Sequence, residues 1–219
     1  MVSVGVDGKT DGCISKAGYR SIGGAMEIID NAIPMSLVRA AESAWPSPDW
    51  PHWHRYKGPT ANKFGSMDRS RIPAACLAAL DALALAVVPY IGDSFIDYDL
   101  HAGGMHMMPP GGFLGRHLDA ECHPIRPWRR THSIVMSANT AWDDRYCGGE
   151  LVLESNLDSE PDTVFGVEPG RAVVFETPGQ WHEVKRVNTD VTLTYRKTLA
   201  LFAWTADECT GSTSARFEA

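Results

Sequence analysis

The chain has 219 residues, of which 44% are hydrophobic and 21% are charged. This composition supplies apolar material for one large domain with a sizeable core and argues against global disorder. The net charge is −7 and the sequence pI is about 5.6. An acidic chain lacks the basic surface that non-specific nucleic-acid binding requires, so a nucleic-acid partner is not expected. No run of about 18 apolar residues occurs, so no membrane span is expected either.

The two ends of the chain are polar. We interpret residues 1–20, which are rich in glycine, as a flexible arm, residues 21–204 as the folded domain, and residues 205–219 as a flexible tail. The beginning of the chain lacks the apolar core of a secretory signal peptide, so a cytoplasmic location is expected. The five cysteines are scattered, without a Cys-x-x-Cys pair, at positions Cys13, Cys76, Cys122, Cys147 and Cys209. They predict neither a disulfide framework nor a zinc knuckle, and most are expected to be reduced thiols.

Helices are predicted in the first half of the chain, after a short strand at residues 25–30. A helix fits residues 35–43, and the proline-rich segment that follows must end it. Residues 72–90 form the clearest helix, because alanine and leucine recur at a spacing near the helical period. It is interpreted as a helix that buttresses the core. Between these helices, residues 57–72 are polar and predicted to be irregular, and His52 and His54 have no carboxylate placed with them.

The second half of the chain changes to a strand pattern. From residue 94 to residue 204, short apolar runs alternate with glycine and proline turns. The runs lie at residues 95–100, 103–108, 112–118, 131–137, 150–154, 163–165, 171–176, 180–184 and 191–204. Many short strands at even spacing favour a sandwich or jelly roll over a parallel sheet. The predicted fold class is therefore α+β, mainly β, with the helices first.

One stretch within this half combines a histidine with a carboxylate. His117 and Asp119 stand two residues apart at the end of a predicted strand, so they project from the same face. A second histidine, His182, lies in a later strand-like run. Two histidines and one carboxylate form the facial triad that binds Fe(II) and leaves coordination positions open. His-x-Asp alone is a weak signal, because many chains contain it by chance.

The last predicted strand carries a second chemical signal. Arg196 and Thr198 alternate onto one face among small residues. A buried arginine needs an anion, and its planar guanidinium matches a carboxylate. A hydroxyl two residues further on can donate to the same group. The pair therefore predicts a carboxylate clamp downstream of His182.

Five segments in this order carry a family resemblance. They are HLD (117–119), CGGELVLE (147–154), EPGRAVVFE (168–176), WHEV (181–184) and RKTLALFAW (196–204). Over roughly residues 24–204 the chain resembles Fe(II)/2-oxoglutarate-dependent dioxygenases of the prolyl 4-hydroxylase-like branch. The resemblance implies a double-stranded β-helix (jelly-roll) core with N-terminal buttressing helices. It also implies Fe(II), with 2-oxoglutarate and O2 as co-substrates, and allows ascorbate as an addition.

The resemblance also assigns roles to residues. His117, Asp119 and His182 would hold the iron, and Arg196 with Thr198 would hold the far carboxylate of 2-oxoglutarate. Some members of the family use a lysine there, but alternation places Lys197 on the opposite face. Tyr98 is a further candidate for 2-oxoglutarate contact, or else an ordinary aromatic core residue. Halogenase relatives have a small residue in place of the carboxylate, so the presence of Asp119 favours hydroxylation.

The substrate is left open. The loop after Asp119 is locally basic, and Arg126, Trp128 and Arg130 are candidates to orient an anionic group of a small substrate such as an amino acid. The alternative is a solvated loop whose arginines pair with nearby acidic residues. Cys122 and His123 are expected to line the mouth of the site. A free amino acid, peptidyl proline or another small molecule all fit, and the oligomeric state is not indicated.

Two other functions compete with a 2-oxoglutarate-dependent hydroxylase. One is a non-haem iron oxygenase that does not use 2-oxoglutarate, against which Arg196 and Thr198 argue. The other is a jelly-roll binding module that holds a metal without redox activity. A closed structural metal site should have a fourth protein ligand, and the spacing indicates none.

Overall fold

The computed structural model describes residues 26–101, 103–155, 162–190 and 195–218. The predicted arm at residues 1–20 lies outside these ranges. The strands are β1 (Met26–Ile29), β2 (His54–Lys57), β3 (Ala61–Ser66), β4 (Phe95–Ile96), β5 (Gly104–Met108), β6 (Phe113–Leu118), β7 (Arg129–Ser137), β8 (Leu151–Leu153), β9 (Thr163–Phe165), β10 (Ala172–Glu176), β11 (His182–Val184), β12 (Arg196–Thr205) and β13 (Arg216–Phe217). The helices are α1 (Met35–Ser43), α2 (Ala74–Val87) and α3 (Asp144–Cys147), with a 3-10 turn at Val88–Tyr90. Among the described residues, no helix is long and apolar enough to cross a membrane.

The helix α2 forms because its residues are almost all alanine and leucine, which favour the helical state. Pro73 precedes it, where the missing N–H costs nothing, and the 3-10 turn that contains Pro89 follows it. Its buried residues recur every three or four positions and include Cys76, Leu80 and Leu83. These side chains pack, together with α1, in a core cluster against one face of the sheet. The predicted buttress is confirmed.

The strands form one strongly curled antiparallel sheet, in the order β1-β10-β7-β12-β5-β3-β6-β11-β8-β9. In addition, β13 pairs with β6, β2 with β3, and β4 with β12. Neighbours in the sheet are mostly distant in sequence, so residues far apart along the chain meet on the inner face. The predicted α+β, mainly β fold with a jelly-roll core is confirmed. The region predicted to be irregular at residues 57–72 contains β3, whose polar residues hide the strand pattern.

A second apolar cluster fills the inside of the curled sheet. It includes Met108, Leu153, Phe175 and Val184, all of them buried. The helices thus cover one face of the sheet, and this cluster supports the other. The site described below opens on that second side.

Part of the segment predicted to be a flexible tail, residues 205–219, is attached to the folded domain. Cys209 forms a disulfide with Cys122, and β13 pairs with the edge of β6. The two cysteines are 87 residues apart, so no local motif announces the bond. Cys76 and Cys147 are free and buried, in line with the expectation of reduced thiols, whereas that expectation is wrong for Cys122 and Cys209.

Candidate active site

The two histidines singled out in the sequence are cross-strand neighbours. His117 in β6 pairs directly with His182 in β11, and their ring centroids are 4.1 Å apart. Asp119 follows β6 immediately and projects to the same side. Its two carboxylate oxygens lie 3.5 Å from Nε2 of His117 and 3.7 Å from Nε2 of His182. The ligand-capable atoms of the three residues all lie within 4.8 Å of one another. The fold thus brings together the predicted triad.

The outer ring nitrogens orient both imidazoles. Nδ1 of His117 lies 2.9 Å from the carbonyl oxygen of Gly115, and Nδ1 of His182 lies 3.1 Å from that of Gln180. A carbonyl can only accept a hydrogen bond, so each Nδ1 carries the proton and each Nε2 keeps its lone pair facing the centre. Burial lowers the pKa of His182 to about 4, which keeps this imidazole neutral at physiological pH. Neutral imidazoles are the form that binds metals.

Asp119 is held in its charged form. Burial opposes ionisation, but the interactions with His182, Arg130 and His117 keep the pKa of this carboxyl well below its usual value. The hydroxyl of Ser133 donates to Oδ2 at 2.6 Å, and Nη1 of Arg130 lies 3.3 Å from the same oxygen. Ser133 also shares a hydrogen bond with Thr177 at 2.8 Å. Sequence reasoning did not identify Ser133, since a serine in a strand gives no signal of its own.

The triad opens into a cavity of about 300 Å³ that also contains the predicted carboxylate clamp. Arg196 and Thr198 both line it, and both are buried. Nη1 of Arg196 donates to Oγ1 of Thr198 at 2.7 Å. Lys197 points to the other face, where it pairs with Glu42 at 3.3 Å. The alternation deduced for this strand therefore describes the observed side-chain directions.

Strand β3 contributes a cation that sequence reasoning missed. Lys63 lines the cavity and lies above the ring of Tyr56, with Nζ 5.3 Å from the centroid. Burial lowers the pKa of Lys63 to about 8, while the charge of Asp119 raises it and that of Arg196 lowers it. The ammonium group is therefore within electrostatic reach of both the triad and the clamp. A polar, irregular-looking segment concealed it.

Tyr98 does not occupy the predicted position. Its side chain is 69% exposed, lies outside the cavity and stacks under the guanidinium of Arg69 at 3.8 Å. The prediction assumed a strand over residues 95–100, but β4 ends at Ile96. A turn follows, in which the carboxylate of Asp97 accepts the N–H of Asp99, so the strand alternation no longer applies. The proposed 2-oxoglutarate contact through Tyr98 is wrong, and so is its core alternative.

The basic loop after Asp119 divides into two parts. Arg130 is 2% exposed and points into the cavity, with its guanidinium 3.7 Å from the ring centroid of Phe202. Arg126 is exposed, and Trp128 packs edge-on against Phe95 at 4.8 Å, so neither lines the cavity. Of the three substrate candidates, the structure places only Arg130 beside the triad.

The two residues expected at the mouth also separate. Cys122 lines the cavity as half of the disulfide. His123 turns away and packs against Trp204, with ring centroids 4.8 Å apart. There it joins Asp97 and His101 in a second group of two histidines and one aspartate.

Comparison with known proteins agrees with this geometry. Residues 103–204 match the family model described as the 2OG-Fe(II) oxygenase superfamily. This range contains all three residues of the triad, together with Arg196 and Thr198. No curated protein sequence matches the chain.

Solved structures share the fold. A prolyl-4-hydroxylase from Pseudomonas putida has a TM-score of 0.61 at 23% identity, covering 85% of this chain and 95% of its own. A prolyl hydroxylase from Trichoplax adhaerens, solved with a hypoxia inducible factor peptide fragment, has a TM-score of 0.57 at 16% identity, covering 82% and 83%. An oxidoreductase of the 2OG-Fe(II) oxygenase family from Burkholderia pseudomallei has a TM-score of 0.54 at 17% identity, covering 85% and 88%. At these identities the likeness is one of fold.

Proposed function

Because residues 103–204 match the model of the 2OG-Fe(II) oxygenase superfamily, we propose that the chain is a member of this superfamily and that it hydroxylates an unactivated C–H bond of an amino acid, peptidyl proline or another small substrate. In this reaction 2-oxoglutarate is decarboxylated to succinate and CO2, and O2 supplies the oxygen atom of the hydroxyl group. One observation carries the proposal. The triad of His117, Asp119 and His182 faces the same cavity as Arg196 and Thr198.

The donor set suits Fe(II). Two imidazole nitrogens and one carboxylate oxygen converge from one side, which is the arrangement of a facial triad with open positions. Both outer nitrogens, on His117 and His182, are held by carbonyl oxygens, as expected of histidines that bind a metal. When bound, the iron supplies the activation of O2 that is coupled to decarboxylation of the 2-oxo acid. The protein side chains supply the binding and orientation.

The far carboxylate of 2-oxoglutarate is assigned to Arg196 and Thr198. Arg196 is 5% exposed, so an anion bound there would interact with it in a largely water-free environment. Thr198 already accepts a hydrogen bond from Arg196, which leaves its own O–H to donate to the ligand. Lys63 adds a second positive charge, and an anion in the cavity would favour its protonated form.

Arg130 is assigned to the substrate. Its Nη1 pairs with Asp119, while its Nε–H has no hydrogen-bond partner within the described chain. A buried guanidinium with a spare N–H can donate to a carboxylate or carbonyl oxygen of the substrate. Both a free amino acid and a peptide offer such an acceptor. The peptide bound to the Trichoplax adhaerens hydroxylase supports the peptidyl alternative.

The test of the reaction class is anaerobic addition of Fe(II) and then 2-oxoglutarate. We expect a visible charge-transfer band that requires both, and that is lost in the Arg196→Ala variant but kept in Lys197→Ala. A protein that binds Fe(II) and gives no band with 2-oxoglutarate would be a metal-binding module or an oxygenase of another kind. A panel of amino acids and proline peptides, read out by succinate formation above the uncoupled rate, then identifies the substrate.

The role of Arg130 needs a separate variant. Because Arg130 also pairs with Asp119, Arg130→Ala removes two functions at once. Arg130→Lys keeps the charge beside Asp119 and removes the forked donor. We expect this variant to raise the substrate KM while uncoupled 2-oxoglutarate turnover remains close to normal. Equal loss of both activities would reduce Arg130 to a positioning residue for Asp119.

A further inference from the structure

The C-terminal residues 209–218, here called the C-terminal strap, run along one wall of the cavity. One end is attached to the loop that follows Asp119. Cys209 is joined there to Cys122 by the disulfide, and the N–H groups of Glu121 and Cys122 both donate to the carbonyl of Ser212 at 2.9 Å. The attachment point is therefore three residues from a proposed iron ligand.

The other end of the strap lies on that ligand's own strand. Phe217 pairs with His117, and the two rings are stacked at 5.2 Å with an angle of 22° between their planes. The N–H of Glu218 donates to the carbonyl of Arg116 at 3.2 Å, and the Glu218 carboxylate pairs with the guanidinium of Arg116 at 2.9 Å. The strap thus shields His117, which is 3% exposed.

The strap forms part of the cavity wall but has little core of its own. Thr213, Ala215 and Phe217 line the cavity, while every strap residue between Cys209 and Phe217 is exposed on its outer side. Within the described chain its non-covalent attachments are a few backbone hydrogen bonds, the stacked ring of Phe217, the guanidinium of Arg216 over the ring of Trp181 and a partly exposed ion pair. Such segments open locally at low free-energy cost, and an exposed ion pair adds little. The disulfide is the strongest link that holds the strap closed.

We propose that the C-terminal strap is a gate to the active site, fastened by the disulfide between Cys122 and Cys209. A dithiol reductant opens it: one thiolate attacks the disulfide, and a second thiol of the reductant resolves the mixed disulfide. Two electrons and two protons pass to Cys122 and Cys209, which become thiols, and the reductant becomes a disulfide. In the reduced protein the strap leaves β6, which uncovers His117 and widens the mouth for ligands too large to pass the closed strap.

The first experiment measures hydrogen exchange of the metal-free protein by mass spectrometry, with and without dithiothreitol. We expect reduction to speed exchange in residues 209–218 and at the N–H groups of Glu121 and Cys122 by roughly tenfold or more. Exchange in β10 should not change. Cys209→Ser should match the reduced wild type without any reductant. The matched control is Cys147→Ser, which removes a buried thiol outside the strap and should still respond to dithiothreitol.

The second experiment measures access to the cavity by carbethoxylation of histidines with diethyl pyrocarbonate. Opening the disulfide should increase the reaction of His117 roughly tenfold, while the exposed His54 serves as an internal standard. Phe217→Ala, with the disulfide intact, should uncover His117 without raising exchange at Cys122. Neither readout depends on the oxygenase reaction, because both use metal-free protein. If reduction changes neither the hydrogen exchange of the strap nor the carbethoxylation of His117, the proposal that the strap is a gate is wrong.

Discussion

Two groups in the described part of this protein each contain two histidines and one aspartate, and only one of them has its histidines oriented to bind a metal. In the first, Nδ1 of His117 and Nδ1 of His182 each face a carbonyl oxygen, so both Nε2 lone pairs face Asp119. The carbonyls belong to Gly115 and Gln180, each two residues before its histidine. The same contact with the carbonyl two residues earlier therefore orients both imidazoles.

The second group has the opposite proton arrangement. Nδ1 of His123 accepts the N–H groups of Ile125 and Arg126, at 3.2 and 3.1 Å. The proton must then sit on Nε2, which points at the carboxylate of Asp97 at 3.4 Å. The same carboxylate also accepts the ring of His101 at 2.8 Å and two backbone N–H groups. This group is a satisfied hydrogen-bond network, so residue type and proximity alone do not define a metal site.

The sharpest test of this contrast is metal stoichiometry. We expect one Fe(II) per chain in an anaerobic titration. His182→Ala should abolish both binding and iron-dependent turnover, because it removes one of three ligands. His101→Ala should leave the stoichiometry at one. Two ions per wild-type chain, or full succinate production by His182→Ala, would show that the assignment of the two groups is wrong.

The cavity that contains the first group should also bind the co-substrate. Arg196→Ala should raise the 2-oxoglutarate KM by about 100-fold, because a buried charged hydrogen bond contributes on the order of 3 kcal/mol. Lys197→Ala should change it little, since Lys197 pairs with Glu42 on the other face. Steady-state kinetics with varied 2-oxoglutarate checks this. If Lys197 proved to be the sensitive position, the strand register would be off by one residue.

The second group should matter for stability alone. Asp97→Asn removes the charge that accepts four hydrogen bonds, and we expect a loss of about 2 kcal/mol in the free energy of unfolding. Its Fe(II) affinity should remain normal. Asp119→Asn is the paired variant and should lose Fe(II) binding. Denaturant unfolding of the metal-free proteins, combined with metal titration, separates an effect on stability from an effect on metal binding. Impaired metal binding by Asp97→Asn would show that the second group also contributes to the metal site.

The smallest expected effect concerns the pH dependence of stability at Lys63. The pKa of Lys63 is about 8 in the folded protein and near the ordinary lysine value of 10.5 when unfolded, so the unfolded state binds more protons between these values. Stability therefore rises with pH in this window. Wild type should gain about 1 kcal/mol relative to Lys63→Met between pH 8 and pH 9. The free energy of unfolding is measured by urea denaturation at each pH. If it changes equally with pH in the two proteins, the ammonium group of Lys63 is exposed to solvent.

Much of the site could be predicted because its residues obey short-range rules. The i, i+2 spacing of His117 and Asp119, and of Arg196 and Thr198, assigns each pair to one face of a strand. Strand alternation also separated Arg196 from Lys197. Which distant strands pair with one another was harder to predict. Sequence cannot state that β6 lies beside β11, and the family resemblance had to supply the link to His182.

The predictions that failed have both local and long-range causes. Tyr98 was misplaced because β4 is two residues long and a turn interrupts the alternation. Lys63 was missed because the polar residues of β3 look like a loop, and Ser133 was missed because a serine in a predicted strand gives no signal of its own. The C-terminal strap was interpreted as mobile because its polarity is that of a tail, and its covalent anchor, Cys122, is distant in sequence.

The pairing of His117 with His182 has a mechanical consequence. Strands β11, β8 and β9 are three residues each and form one margin of the sheet, joined to the rest through β6, with a register irregularity between His182 and Val184. A metal ion bound by both His117 and His182 would link β6 to β11 and so stabilise the pairing of these two strands. Metal loading should therefore raise the melting temperature, by an amount that grows with the logarithm of free metal concentration above its dissociation constant. In the metal-free protein, this margin should be where the sheet first comes apart.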